Sequence, residues 1–387
     1  MSNRTLAARI AAAISILPLL SVAAMAQLAV SANDNKAVLV NGANTVPANP
    51  APDTVAIIDL SAKPPKMIAE LKAPTSVVGP PQSVAVSRDE SIALVTGAIK
   101  LDPADPKKTT ADNRISVIDL KAKPPAVIAT VEAGAAPSGL SINPAGTLAL
   151  VANRNDGTVS IFTIANKTLT AAGKVDFGNP KSGPSHVAFT PDGKTALVTR
   201  DGDHRISVLN VDGNKVEDTK KYMVAGFRPY SISINSKGTV AVLVNQGGGQ
   251  GDTDMISVID LKQNPPRIVD TIAVEQIPEG TTMSPDGNFV AVTMQNGSNK
   301  VPSHPNYHKN SVLKVFRING TKLTLVAQGE FGAWGQGVVW SKDGKTLLAQ
   351  SMADKSLDVF SFNGKTLKKT GSIKVNGGAA GIRTAFD

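Results

Sequence analysis

The chain has 387 residues, 42% hydrophobic and 4% aromatic, with a formal charge of +9 and no cysteine. The lack of cysteine excludes a disulfide framework, a thiol nucleophile and a thiolate metal site. Three tyrosines and two tryptophans offer little stacking surface for a nucleic acid. Lysines scattered through turns, such as Lys63, Lys107, Lys220 and Lys368, read as solvated surface, so a nucleic acid or other polyanion is the less favoured partner.

Residues 1–26 read as a secretory signal peptide. Arg4 and Arg9 precede an apolar run from Ile10 to Ala24, and Ala24-Met25-Ala26 fits the small-x-small cleavage rule. The run is too short to span a bilayer, and no later stretch approaches eighteen apolar residues, so no membrane insertion is expected. Cleavage near Ala26 would deliver a periplasmic or secreted chain, and losing Arg4 and Arg9 lowers its charge from +9 to +7. Length alone suggests two domains. An unbroken repeat instead predicts one domain over 27–387, expected to be a monomer.

The repeat has three parts. An innermost-strand block starts as Pro-Gln-Ser-Val-Ala-Val at Pro81, Pro-Ser-Gly-Leu-Ser-Ile at Pro137 and Pro-Ser-His-Val-Ala-Phe at Pro184. It returns at Pro229, Pro278 and Gly335, and a seventh copy is read from Gly381. Successive starts are 56, 47, 45, 49, 57 and 46 residues apart, the period of propeller blades. A turn such as Pro191-Asp192-Gly193 or Pro285-Asp286-Gly287 then leads to an apolar strand, the Asp-Gly pair supplying the positive φ of a tight hairpin. A third strand of the type Ile-Ser-Val-Ile-Asp-Leu follows, at Val55, Ile115, Val159, Ile206, Ile256, Val312 and Leu357. These runs are β-branched and alternate with the period of a strand.

The segment from Gly381 lacks a downstream partner, and Ala37-Val38-Leu39-Val40 lacks an upstream one. Pairing them completes a blade and removes two sheet edges. The expected fold is therefore all-β: a seven-bladed β-propeller of four-stranded antiparallel blades, closed by its C-terminal and N-terminal strands. The proline-rich segments 61–65, 121–125 and 262–266 fall between third and fourth strands and read as turn architecture.

Loops entering innermost strands and loops joining second to third strands open on one face. There the long loops gather: 99–113, 153–157, 200–204, 246–254 and 296–310. Functional residues concentrate on such loops. His186 and Glu279, on the innermost strands of blades four and six, are candidates for acid–base catalysis across the channel mouth. Arg154, Arg200, Arg228, Tyr230, Trp334, Gln336 and Arg383 are candidate ligand-binding residues around it, the arginines suiting an anionic group. All four histidines map to this face. His304 and His308 have the spacing of a zinc pair, but Pro305 argues against the helix that would align them. The glycine-rich 247–251 lacks the lysine and helix of a phosphate loop. No cofactor or metal is expected.

The unit from Ala149 to Phe162, Ala-Leu-Val-Ala-Asn followed by Gly-Thr-Val-Ser-Ile-Phe, resembles the YVTN-type propeller repeat, as do its counterparts from Ala196 and Ala241. The resemblance is to the exported YncE-like family and, more broadly, to lactonase-type propellers and quinoprotein dehydrogenase subunits. It covers essentially the whole mature chain. A YncE-like protein implies a binding or scaffolding module whose long-loop face takes a protein or a small polar ligand. Lactonase-like relatives imply instead a hydrolase or cyclase acting at the channel mouth, with His186, Glu279 and Arg228 or Arg383 as its residues. The dehydrogenase branch implies an electron-transfer partner, but a chain without cysteine cannot carry a cysteine-derived quinone or a vicinal disulfide.

Overall fold

The computed structural model describes residues 27–251 and 254–385. The predicted signal peptide lies outside them. Seven four-stranded antiparallel sheets form the ring. Blade 4 shows the pattern: Pro184–Phe189 is innermost, followed outward by Thr195–Arg200, Arg205–Asp212 and Lys215–Val224. Blades 2, 3, 5, 6 and 7 repeat this order from innermost strands Val84–Val86, Pro137–Ile142, Pro229–Ile234, Pro278–Met283 and Gly335–Trp340.

Blade 1 closes the ring with strands from both ends of the chain. Its order is Gly378–Thr384, Leu28–Asp34, Thr54–Asp59, Lys66–Lys72. The N-terminal partner is thus Leu28–Asp34, not the segment from Ala37. Val38–Val40 instead pairs with Ala43–Thr45 in a separate two-stranded hairpin, an insertion between the second and third strands of blade 1. Leu28–Asp34 wins because it is buried along its whole length and is hydrogen-bonded on both edges, whereas Val38–Val40 is half-buried to exposed.

The seventh repeat also starts three residues earlier than its sequence suggests. Gly378 lies opposite Asp34, and Gly381 opposite Ala32, as Pro137 lies opposite Asn153 and Leu140 opposite Val151. Gly378 therefore occupies the proline position. Blade 2 differs too: 99–113 is mostly ladder, with Leu101 paired to Thr109, so the expected loop shrinks to the tip of a long hairpin.

Local chemistry explains the turns. In Thr190-Pro-Asp-Gly-Lys194 the Asp192 carboxylate accepts from the Thr190 hydroxyl at 2.6 Å and from the Lys194 N–H at 3.0 Å, and Gly193 sits at φ 69°. Asp286 and Asp343 accept from the N–H groups of Asn288 and Lys345 at the same 3.0 Å. Between blades, aliphatic side chains form the core. Val242, Val244 and Val258 of blade 5, for example, pack with Val290 and Val292 of blade 6. Each such side chain contributes roughly 1.5–3 kcal/mol on burial. Near the axis the backbones crowd: a Cβ on Gly139 would stand 2.4 Å from the Ser185 carbonyl oxygen, so only glycine fits between blades 3 and 4.

Candidate active site

The front face, where innermost strands begin, is built from three repeated positions. In blades 3 to 7 the residue following the second strand donates its N–H to the carbonyl of the residue preceding the innermost strand. The pairs are Arg154 to Ala136, Asp201 to Gly183, Gln246 to Arg228, Gln295 to Ile277 and Met352 to Trp334, at 2.9–3.2 Å. The accepting residues all have φ between 53° and 59°, a left-handed conformation that non-glycine residues adopt at a cost. The third position is the second residue of each innermost strand: Ser185, Tyr230 and Glu279 in blades 4 to 6.

These positions converge over blades 3 to 6. Arg154 donates to the Ser185 hydroxyl and to Asp201 Oδ2, both at 2.6 Å, and its guanidinium lies 5.6 Å from the centre of the Tyr230 ring. Arg228 stands 3.6 Å from the same Asp201 oxygen with 37% of its side chain exposed. Glu279 is buried, and its Oε1 accepts from Gln246 Nε2 at 2.7 Å and from Gln295 Nε2 at 2.6 Å. Among the described residues no hydrogen bond reaches its Oε2.

Burial pushes the Glu279 carboxyl up to about 7, against the two glutamine hydrogen bonds and the nearby Arg228 and Arg154 charges. Burial, reinforced by Glu279, also raises Tyr230, which stays a neutral phenol. A carboxyl that exchanges its proton near neutrality, beside two guanidinium groups, is equipped for proton transfer to an electron-rich substrate.

Of the residues singled out from sequence, Arg154, Arg228, Tyr230 and Glu279 come together here. The others do not. His186 lies one residue deeper than Ser185 and is fully buried. Its Nδ1 accepts from the Ile232 N–H at 3.3 Å, and burial together with the Arg383 charge holds the imidazole well below its usual value. Among the described residues it shares no hydrogen bond with Glu279. Arg200 is buried against Phe177, 4.4 Å from the ring centre, and is paired with Asp203 and Ser207. Trp334 packs with Ala37 and Met352 beneath the inserted hairpin. Gln336 is buried one blade further on, its carbonyl accepting from Thr293.

Arg383 requires a correction. The three-residue register shift puts it near the end of its innermost strand, where it lines a cavity at the rear of the channel rather than the front mouth. His204 accepts the Arg228 N–H at 3.3 Å and packs on Phe227, and His304 accepts the Asn306 N–H. Among the described residues no three His, Asp or Glu side chains are grouped to hold a metal.

Sequence reasoning missed Asp201, Gln246 and Gln295 as individual site residues. The available signal was position: each immediately follows a second strand of the Ala-Leu-Val type.

Residues 163–304, which contain Arg228, Tyr230 and Glu279, match the family described as "Lactonase, 7-bladed beta-propeller". The seven-bladed architecture agrees with that description. No curated protein sequence matches the chain. Among solved structures, a candidate 6-phosphogluconolactonase from Bacteroides uniformis superposes with a TM-score of 0.70 at 16% identity, covering 93% of this chain and 99% of that one. The periplasmic gluconolactonase of Pseudomonas aeruginosa gives 0.66 at 15% identity, over 92% and 99%. A protein of unknown function from Desulfotomaculum acetoxidans gives 0.68 at 14% identity, over 92% and 98%. At these identities the likeness concerns the fold.

Proposed function

We propose that the front mouth hydrolyses a lactone, with Glu279 as general base. The observation that carries this reading is the Glu279 carboxyl: anchored through Oε1, raised to about 7, and set beside Arg154 and Arg228. The family match over 163–304 and the gluconolactonase among the structural neighbours support a lactonase more than a binding or scaffolding module.

In the proposed step the Glu279 carboxylate takes a proton from water as the water oxygen bonds to the lactone carbonyl carbon. The carbonyl π electrons move onto oxygen, and Arg228, the more exposed of the two arginines, faces the resulting oxyanion. Collapse re-forms the carbonyl and breaks the ring C–O bond. Glu279 returns its proton to the departing alkoxide, giving a hydroxy acid. Arg154, committed to Ser185 and Asp201, holds the arrangement in place.

A pH-stat assay over five- and six-membered lactones tests the reading. Turnover should appear with at least one ring size, and Glu279→Gln, which keeps the shape, should lower it by roughly 10²–10⁴-fold. Absence of turnover above buffer across the panel, or full activity in Glu279→Gln, would overturn it.

A further inference from the structure

The hydrolytic step employs Glu279 and Arg228 and leaves Tyr230 without a role. The Tyr230 ring belongs to the apolar cluster between blades 5 and 6 that includes Val242 and Val292, and the residue is buried, so the phenol is held rigidly. The Arg154 guanidinium lies 5.6 Å from the ring centre. The charges that act on the hydroxyl are those of the mouth, namely Glu279, Arg154, Asp201 and Arg228, which places the phenol oxygen among them. A buried tyrosine hydroxyl usually finds a hydrogen-bond partner. This one makes no hydrogen bond to any described residue. Beside Glu279 the sealed, unpartnered side-chain atoms are Gln246 Oε1 and Gln295 Oε1, whereas the Tyr230 hydroxyl is not among the sealed atoms and opens to the mouth.

The neighbouring donors are already engaged. Ser185 donates to the Gly183 carbonyl at 3.0 Å, and the two terminal nitrogens of Arg154 hold Ser185 and Asp201. Gln246 and Gln295 both turn Nε2 onto Glu279 Oε1. That leaves the Arg228 guanidinium and the Tyr230 hydroxyl to meet charge that develops on a substrate. An acyl-transfer site works through fixed donors aimed at the developing oxyanion, away from bulk water. Burial, reinforced by the Glu279 charge, keeps the phenol protonated, so it gives a hydrogen bond and transfers no proton. We propose that the Tyr230 hydroxyl is the second donor to the lactone oxyanion, completing with Arg228 a two-donor oxyanion site. This role rests on the reading of the front mouth as a lactonase.

Tyr230→Phe keeps the ring in its apolar cluster and removes only the hydroxyl. On the lactone that the parent protein hydrolyses fastest, kcat should fall roughly 10²–10³-fold, the usual cost of losing one oxyanion donor. KM should change by less than about twofold, because the bond is made in the transition state and not to the ground-state lactone. The Tm should match the parent's, since the hydroxyl bonds to no described residue, and the rise of rate through about pH 7 should stay in place because Glu279 still sets it. Glu279→Gln, measured alongside, separates the two readings. Slow hydrolysis in Glu279→Gln with parental kcat in Tyr230→Phe would overturn the assignment of Tyr230 and leave the lactonase standing. A loss confined to KM, or a pH limb that moves in Tyr230→Phe, would overturn the assignment as well. A parent protein that hydrolyses no lactone would overturn both.

Discussion

Gln246 donates across the boundary between blades 5 and 6 to Oε1 of Glu279, at 2.7 Å. With Gln295 on the same oxygen, the carboxyl is fixed in orientation while Oε2 is left to exchange a proton. Both donors favour the ionised form, so they limit how far burial can raise the group. The rate of lactone hydrolysis should therefore rise with pH through about 7 as Glu279 ionises. Gln246→Ala should move that limb upward by up to about one unit. A pH–rate profile of kcat/KM checks this, and a limb that stayed put or moved down would contradict it.

The same group makes stability depend on pH. Its folded value of about 7 lies above the ordinary carboxylate value of 4.5, so between the two the folded state holds more protons than the unfolded chain. Its contribution is present below about 4.5 and is lost as pH rises through about 7, by up to about 3 kcal/mol. Glu279→Gln has no charge to bury. It should therefore be more stable than the parent at pH 8 and close to it at pH 5, as read by urea unfolding at both. A gain at pH 5 with none at pH 8 would reverse the assigned sign.

Arg154 and Asp201 form the best-shielded ion pair of the mouth, with side chains 16% and 7% exposed. Removing one partner leaves the other charge largely desolvated. Arg154→Ala should cost about 3 kcal/mol, partly offset by Arg228 turning toward Asp201. Replacing both residues, Arg154→Met with Asp201→Asn, should recover much of that loss without restoring turnover. Melting curves of the two variants decide the point, and a double variant no more stable than the single one would refute it.

Much of this architecture was legible because a propeller repeats its chemistry. Six turns and seven third strands carry the same local instructions, so the count and the closed ring follow from period alone. Register at the seam was not legible, because Gly378-Ala-Ala-Gly381 has no proline to mark its start and a second glycine falls three residues later. At the mouth, Glu279, Arg154, Arg228 and Tyr230 could be placed by counting from strand starts. His186 could not be ruled inward, because whether residue 185 or 186 faces the mouth depends on strand alternation and twist. Arg200 and Trp334 were absorbed by partners distant in sequence, Phe177 and the hairpin beyond Ala37, which no local pattern announces.

The seam offers a direct test of which N-terminal segment closes the ring. Leu28–Asp34 is central in blade 1, with Ser31 opposite both Ile382 and Ala56. Leu28, Val30 and Ala32 are buried, and just ahead of the strand Gln27 Nε2 donates to the Trp340 carbonyl while its Oε1 accepts the Lys342 N–H. A chain beginning at Ala37 would lose all of this and bare the edges of Gly378–Thr384 and Thr54–Asp59. Two large aliphatic side chains at roughly 1.5–3 kcal/mol each, plus two ladders, approach the 5–15 kcal/mol that typically holds a domain together. Such a chain should unfold or aggregate through its open edges. Deleting 38–45 instead removes a hairpin of three-residue strands that packs on the ring through Leu39 and lies against Val301 at Gly42, and should leave a monomeric peak on gel filtration with a Tm a few degrees lower. Equal damage from the two deletions would mean that the hairpin, and not Leu28–Asp34, is what holds the seam.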